Sequence, residues 1–155
     1  MSIQQLCLVI VLAPLLGSII AGFFRNQIGR SGAHSVTIAG VGLSFLLSLY
    51  VAVLILTGSA DSVNSNIYTW ASGGDLFPYA FHIGFLIDPL TVVMLVVVNF
   101  VSLLVHIYSI GYMAEDDGYQ RFFSYISLFT FMMLMLVTAN NFLQLFFGWE
   151  GVGLV

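Results

Sequence analysis

The sequence predicts an all-α polytopic membrane protein with a β-hairpin in the loop between helices two and three. Hydrophobic residues make up 60% of its 155 residues and charged residues 6%, whereas charged residues make up ~25% of soluble domains. The mean hydropathy is +1.07. Four apolar segments have about the length that crosses a ~30 Å hydrocarbon core as a helix. Alternating residues in the longest loop indicate strands.

Charge and cysteine content exclude several classes of partner and site. The net charge of −4 arises from seven acidic and three basic residues, and the chain has no lysine. Without a basic patch, nucleic acid is excluded as a partner, and the lipid bilayer is the expected surrounding. Cys7 is the single cysteine, so it cannot form an internal disulfide or a metal cluster by itself. The N-terminus lacks the positive flank of a secretory signal, which predicts a retained first helix.

The first two spans are predicted at Leu6 to Phe24 and Val36 to Thr57, with Pro14 interrupting the first. Small residues recur every four positions on both segments, which in lipid allows two helices to approach closely. This packing role is favoured over a hydrated path for the serines. The residues concerned are Gly17, Ala21, Gly40, Ser44 and Ser48.

The loop from Gly58 to Ile87 is predicted to contain the hairpin. Aromatic and apolar residues occupy every second position of 79–85, and a run at 67–70 precedes it. Period two is typical of strands, and the polar residues 72–75 between the runs are typical of a turn. His82 falls on the polar phase, so a solvated or headgroup-facing histidine is favoured over a metal ligand.

Asp88 followed by Pro89 is a helix-start signal for a third span, Leu90 to Ile110. Capping is therefore favoured over proton chemistry for Asp88. A solvated turn leads to a fourth span, Phe122 to Thr138, whose methionines indicate core or lipid surface rather than a copper site. All arginines fall in the loops after helices one and three, so those loops are predicted to be cytoplasmic. These arginines are Arg25, Arg30 and Arg121.

Glu150 is the main candidate site residue. If a fifth helix begins at Asn140 or Asn141, Glu150 lies ~14 Å along its axis, near the middle of a ~30 Å core. A charge there costs ~2.5–3.5 kcal/mol, so we interpret Glu150 as a proton or ion site rather than as structural glue. Glycines at 148, 151 and 153 leave room for a neighbour. Because 15 residues from Asn141 span only ~22 Å, the sequence is expected to be part of a longer chain.

His106 is the second candidate. It lies ~26 Å along the third helix from Pro89, close to the far membrane boundary. The sequence leaves two roles open for this imidazole, a hydrogen bond to a neighbouring helix or a place in a proton route.

Three motifs in the same order resemble the NADH dehydrogenase subunit 5 family, the distal antiporter-like membrane subunit of respiratory complex I. They are His106–Met113, Gly118–Phe123 and Gly148–Leu154, and the helix entry from Asp88 to Thr91 is similar as well. The resemblance implies a protein of about fourteen or more transmembrane helices with inverted repeats. It covers nearly all of these residues.

The resemblance also implies a division of the chain. Residues 1–121 would hold helices one to three with the extracytoplasmic hairpin loop 58–87, and residues 122–155 would begin the first antiporter-like repeat with helix four and part of helix five. Glu150 would be the helix-five glutamate of the family, which pairs with a lysine on a broken helix seven. Asn140 stands where many members carry an aspartate, and Val155 where a small or thiol residue is common.

The implied function is that of a proton-translocating subunit of NADH:quinone oxidoreductase, driven by quinone reduction in other subunits. The resemblance implies no cofactor in this chain, and NADH, FMN, iron–sulfur clusters and quinone are expected in partner subunits. Other complex I membrane subunits, including a neighbouring antiporter-like subunit, are the expected partners. A bacterial cytoplasmic (inner) membrane is favoured over the mitochondrial inner membrane.

Two alternatives come from other classes. A subunit of a multisubunit cation/proton antiporter shares the fold and the glutamate, but it tends to have Leu-Thr after the Trp-Glu pair. Here Gly151 and Val152 follow Glu150, which favours complex I. The other alternative is a related subunit of an inorganic-carbon uptake complex or a purely structural membrane module.

Overall fold

Five helices and one hairpin make up the part of the chain that the computed structural model describes, residues 2–73 and 77–155 without the side chains of 70–79. Four of the helices, α1 to α4, are long and apolar enough to cross a membrane. The predicted all-helical membrane fold with one hairpin is therefore confirmed. The elements are α1 Ile3–Phe23, α2 Arg25–Leu56, β1 Val63–Gly73, β2 Phe77–Ile87, α3 Pro89–Tyr112, α4 Tyr119–Val137 and α5 Phe142–Leu154.

Polar caps mark the starts of α3 and α5, as predicted. The Thr91 N–H donates to Asp88 Oδ1 at 2.7 Å, and the Gln144 N–H donates to Asn141 Oδ1 at 2.9 Å. The first N–H groups of a helix have no partner within it, and a side-chain oxygen at the preceding position satisfies one of them. Asp88 thus has a structural role in starting α3.

The start of α2 differs from its prediction, because the helix begins at Arg25 instead of Val36. Arg25 and Arg30 were placed in a loop, yet helical residues lie on both sides of Gly29, which has φ 65° and ψ −170°. Glycine takes a positive φ without a steric penalty, so the chain turns at one residue. The apolar pattern begins only at Val36, and the polar helical residues before it therefore gave no signal.

Small residues bring α1 and α2 into close contact, which confirms their predicted packing role. A Cβ added to Gly17 would lie 3.2 Å from Thr37 Cα, and one added to Gly40 would lie 2.8 Å from the Ala13 carbonyl oxygen. Both positions face backbone rather than flexible side chains. Larger residues there would force the helices apart.

Pro14 lies inside α1, and a neighbouring helix satisfies the group that it leaves free. Proline has no N–H, so the carbonyl of Ile10, four residues earlier, loses its donor within the helix. Ser44 of α2 donates to this carbonyl at 2.6 Å, and Ser127 of α4 donates to the Pro14 carbonyl at 2.7 Å. An unsatisfied carbonyl in lipid costs several kcal/mol, so Ser44 makes the proline tolerable in an apolar span.

Helices α1 to α4 pack together as a bundle, and α5 packs against α4 and β2. The end of the hairpin nearest α3 belongs to the core, since Phe85 and Ile87 are buried among residues of all four bundle helices. The hairpin is therefore a packed part of the fold at one end of the bundle.

The two strands pair antiparallel from Val63 opposite Ile87 to Gly73 opposite Phe77. The predicted hairpin is confirmed, although its strands extend beyond the predicted runs at 67–70 and 79–85. The polar residues at the start of β1 show no apolar alternation, which explains the shorter prediction. The predicted turn at 72–75 falls largely on residues 74–76, which lie outside the described residues.

We expect Ser44→Ala to lower the unfolding free energy in mixed micelles by about 1–3 kcal/mol, because the Ile10 carbonyl would stay buried without a donor. Ser48→Ala is the matched control. Ser48 is also fully buried, but it donates to Phe45 in its own helix at 2.8 Å, so its loss leaves no proline-freed carbonyl. Equal losses of stability in the two variants would contradict the role given to Ser44.

Asp88 should stabilise the fold in a pH-dependent way. The hydrogen bond from the Thr91 N–H lowers the pKa of the Asp88 carboxyl below its ordinary value. A carboxyl with a lowered folded pKa contributes stability above its unfolded pKa, and this contribution is lost as pH falls through the folded pKa. The contribution is therefore complete at pH 7 and lost below about pH 4.

Asp88→Asn separates capping from proton chemistry, because asparagine caps a helix equally well but does not titrate. We expect Asp88→Asn to match the unmodified protein at pH 7, and Asp88→Ala to lose about 1 kcal/mol. Unfolding measured from pH 7 to pH 3 should show the unmodified protein losing stability relative to Asp88→Asn in acid. If Asn is as damaging as Ala at pH 7, capping is not the role of this residue.

Candidate proton-transfer site

Glu150 lies on α5 at a depth that corresponds to the interior of α4. Gly148 packs against the backbone of Leu136, where an added Cβ would lie 2.8 Å from the amide nitrogen, and Gly151 packs against the Met132 side chain. Both α4 residues belong to a candidate membrane span. The Glu150 carboxylate is thus inside the span, in the half that ends at the hairpin, and two of the three predicted glycines provide the close approach.

The Glu150 side chain faces away from α4. Helix α5 buries Gln144 and Gly148, and with ~3.6 residues per turn Glu150 lies on the other side of the helix. Its neighbours on that side, Phe146 and Phe147, are 58% and 63% exposed, and Glu150 is exposed too. Within the described part of the chain no ion pair forms at this carboxylate. An acid therefore stands on an apolar helix face at membrane depth.

His106 is fully buried on α3. Its Nδ1 lies 2.8 Å from the Ser102 carbonyl oxygen, to which it donates, and the Ser102 hydroxyl is 2.5 Å from that of Thr130 on α4. Its Nε2 has no hydrogen-bond partner among the described residues. In this tautomer Nε2 carries a lone pair that can accept a proton. The ring also packs edge-on against Phe123, with 6.1 Å between centroids.

The structure does not bring the two candidate residues together. His106 contacts Phe123, near the start of α4, whereas the Glu150 segment contacts Met132 and Leu136, near its end. Helix α3 and helix α5 also use different sides of α4. Any single proton step that links His106 to Glu150 would have to cross α4.

The edge of β2 that faces away from β1 is bonded by the connection between α4 and α5. The Leu86 N–H donates to the Thr138 carbonyl at 3.0 Å, and the Gly84 N–H donates to Gln144 Oε1 at 3.0 Å. Asn141 Nδ2 donates to the His82 carbonyl at 2.8 Å. An uncovered strand edge exposes unpaired backbone groups. Here those groups hold the start of α5, and thereby the depth of Glu150.

Asn140 and His82 complete this contact. Asn140 Nδ2 donates to Asn66 Oδ1 at 2.9 Å and to Asn64 Oδ1 at 3.2 Å. An aspartate at this position would only accept hydrogen bonds, so the amide suits these two asparagines. His82 Nδ1 lies 3.1 Å from the Thr69 hydroxyl, which gives this histidine a partner within the hairpin.

A second polar group lies at the opposite end of the bundle. Arg30 donates to the carbonyls of Ala114 at 2.5 Å and Asp116 at 3.1 Å. Its guanidinium lies 5.6 Å above the centre of the Tyr119 ring. The Tyr119 hydroxyl is 2.8 Å from Nδ1 of His34. Sequence analysis missed His34 and Tyr119 because both were placed in loops.

Residues that could hold a metal were also compared in space. The described residues contain no group of three or more His, Cys, Asp or Glu side chains close enough to share an ion. The expectation that redox cofactors reside in partner subunits stays a prediction.

Comparisons with known proteins place the chain. A family model described as NADH-Ubiquinone oxidoreductase (complex I), chain 5 N-terminus, matches residues 70–123. NADH-quinone oxidoreductase subunit L of Neisseria meningitidis serogroup A is 59% identical over 156 residues, which cover 100% of this chain and 23% of the relative. The chain belongs to the complex I chain 5 family.

Mitochondrially named members of the chain 5 family are similar over almost the same range. NADH-ubiquinone oxidoreductase chain 5 of Arabidopsis thaliana is 52% identical, covering 95% of this chain and 21% of the relative. The Neurospora crassa chain 5 is 49% identical, covering 93% and 20%. The chain thus spans between a fifth and a quarter of the length of these relatives. The roles of Glu150 and His106 stay predictions.

We expect Gly84→Ala to loosen the contact between the hairpin and α5. An added Cβ would lie 2.6 Å from the Ser65 carbonyl oxygen and would overlap the Asn140 amide, so the unfolding free energy should fall by about 1–3 kcal/mol. Amide hydrogen exchange should also increase across 142–154.

Gly153→Ala is the control for this change, since an added Cβ there meets nothing within 4 Å and alanine favours a helix over glycine. We expect unchanged or slightly higher stability for it. Unchanged exchange in α5 of the Gly84 variant would show that the strand edge does not hold this helix.

Proposed function

We propose that the chain is the N-terminal part of a proton-translocating membrane subunit of NADH:quinone oxidoreductase, in which Glu150 takes up and releases a proton. The observation that carries the proposal is the placement of this carboxyl within a membrane span on an exposed apolar helix face. Ionisable groups at such depth are costly and are usually functional. Family membership supports the same function.

The chemistry follows from two opposing effects on a carboxyl group. Burial in an apolar environment favours the protonated form, and a nearby cation favours the charged form. A carboxyl that alternates between these environments loads a proton in one and releases it in the other. The chain has no lysine, and Arg30 contacts the turn at the opposite end of the bundle. We therefore infer that the cation comes from a further part of the protein.

The proposed partners follow from the names of the relatives. Subunit L and chain 5 are named as parts of NADH-quinone and NADH-ubiquinone oxidoreductases. By extension this chain would work beside other complex I membrane subunits, including a neighbouring antiporter-like one. NADH, FMN, iron–sulfur clusters and quinone would act in partner subunits, and this chain would perform no redox chemistry. Its class would then be that of a translocase subunit.

We further propose a location in a bacterial cytoplasmic membrane. The 59% identity to the Neisseria meningitidis subunit exceeds the 52% identity to the Arabidopsis thaliana chain 5, which supports a bacterial source. The end of the bundle that carries Arg25, Arg30 and Arg121 would face the cytoplasm, because positively charged residues concentrate on that side. The hairpin would then face outward.

Glu150→Gln in the full-length protein tests the proposal. We expect assembly and quinone reduction to persist while protons pumped per NADH oxidised fall severalfold in inverted membrane vesicles, because an amide cannot carry the proton. Glu115→Gln is the matched control, since Glu115 is exposed in the turn between α3 and α4. Undiminished pumping by an assembled Glu150→Gln enzyme would refute the proposal.

A further inference from the structure

Two imidazoles contact the same buried phenyl ring inside the bundle. Phe123 on α4 is fully buried, and its ring centroid lies 6.1 Å from that of His34 on α2 and 6.1 Å from that of His106 on α3. One imidazole is close to the arginine-bearing end of the bundle, and the other is farther inside. Phe123 separates them, so they form no direct hydrogen bond.

The outer imidazole belongs to a polar group at the surface. His34 is partly buried, and its Nδ1 lies 2.8 Å from the Tyr119 hydroxyl. Arg30 lies over the Tyr119 ring and is about half exposed. These contacts connect His34 with the aqueous edge of the bundle. Arg30 and Tyr119 are also the charged and titratable groups that face it from α2 and α4.

The inner imidazole continues into a polar stripe on α3. Asn99 and His106 are both fully buried and lie two helical turns apart on one face. Oδ1 of Asn99 and Nε2 of His106 have no partner in the described part of the chain. Ser102 lies between them and bonds Thr130. Most buried polar atoms in proteins are bonded, often to internal water.

Structural glue accounts for only part of this stripe. The Thr130 hydroxyl donates to the Ile126 carbonyl at 2.8 Å, and Asn99 Nδ2 donates to the Leu95 carbonyl at 2.9 Å. These bonds satisfy their own helices. A residue retained only for packing would have no need of an orphan acceptor on Asn99 or a free lone pair on His106, since burying such atoms unpaired is unfavourable. Both atoms can instead bind water that carries a proton.

We propose that His34 and His106 form a second proton-transfer path, separate from Glu150, which enters the bundle at its arginine-bearing end and passes Phe123 as a gate. The inference rests on the proposed function and extends it. A proton from water adds to His34, which releases one to water beside Phe123. That proton adds to Nε2 of His106, which releases one towards Asn99. Only N–H and O–H bonds form and break, so each imidazole ends neutral.

The test uses the full-length protein in the assembled enzyme, with His34→Gln and His106→Gln as the main variants. Both should retain quinone reduction and lose protons pumped per electron severalfold in inverted vesicles. The pH dependence of pumping near the imidazole range, ~6–7, should flatten in both. Ser109→Ala is the control, because Ser109 is buried on α3 but outside the path, and it should change neither quantity.

Phe123→Leu supplies a second readout that needs neither histidine variant to assemble. A smaller residue should weaken the gate, so we expect a faster passive proton leak in vesicles without NADH. Assembled histidine variants with normal pumping, a loss in only one of them, or an unchanged leak in Phe123→Leu would each overturn the path. If Glu150→Gln still reduces pumping in these cases, the proposed function stands. If Glu150→Gln is also without effect, that function fails as well.

Discussion

The need to satisfy every backbone hydrogen-bonding group away from water shapes this structure more than any other constraint. Its clearest expression is the outer edge of β2, where the N–H groups of Gly84 and Leu86 bond the connection between α4 and α5. The same contacts that cover the strand edge locate the start of α5. The depth of the Glu150 carboxylate therefore depends on a hairpin that lies many residues earlier in the chain.

The bundle meets the same constraint with serines. Ser44 and Ser127 cross from neighbouring helices to carbonyls in the Pro14 region of α1, and glycines bring the backbones close enough for these bonds. Most buried hydroxyl groups are accounted for in this way. Against this background the unpaired atoms of Asn99 and His106 stand out, since the helices around them do not use them.

Sequence patterns predicted the elements whose signals are local. Apolar length indicated the four spans, Asp88 and Asn141 indicated helix starts, and the small residues indicated close packing of α1 and α2. The kink at Gly29 was missed because the polar residues around it resemble a loop. His34 was missed because its partner Tyr119 is 85 residues away, and no sequence spacing indicates such a contact. The depth of Glu150 followed from helix length, but the direction of its side chain depended on how α5 packs.

The hairpin contact has a consequence for membrane insertion. Asn140 reaches back to Asn64 and Asn66, so the two halves of this contact leave the ribosome at different times, and α3 and α4 are made between them. Contacts between distant parts of a chain form slowly because a long loop must close first. The hairpin must therefore already lie on its final side of the bilayer when α5 arrives, and α5 seats last among these elements.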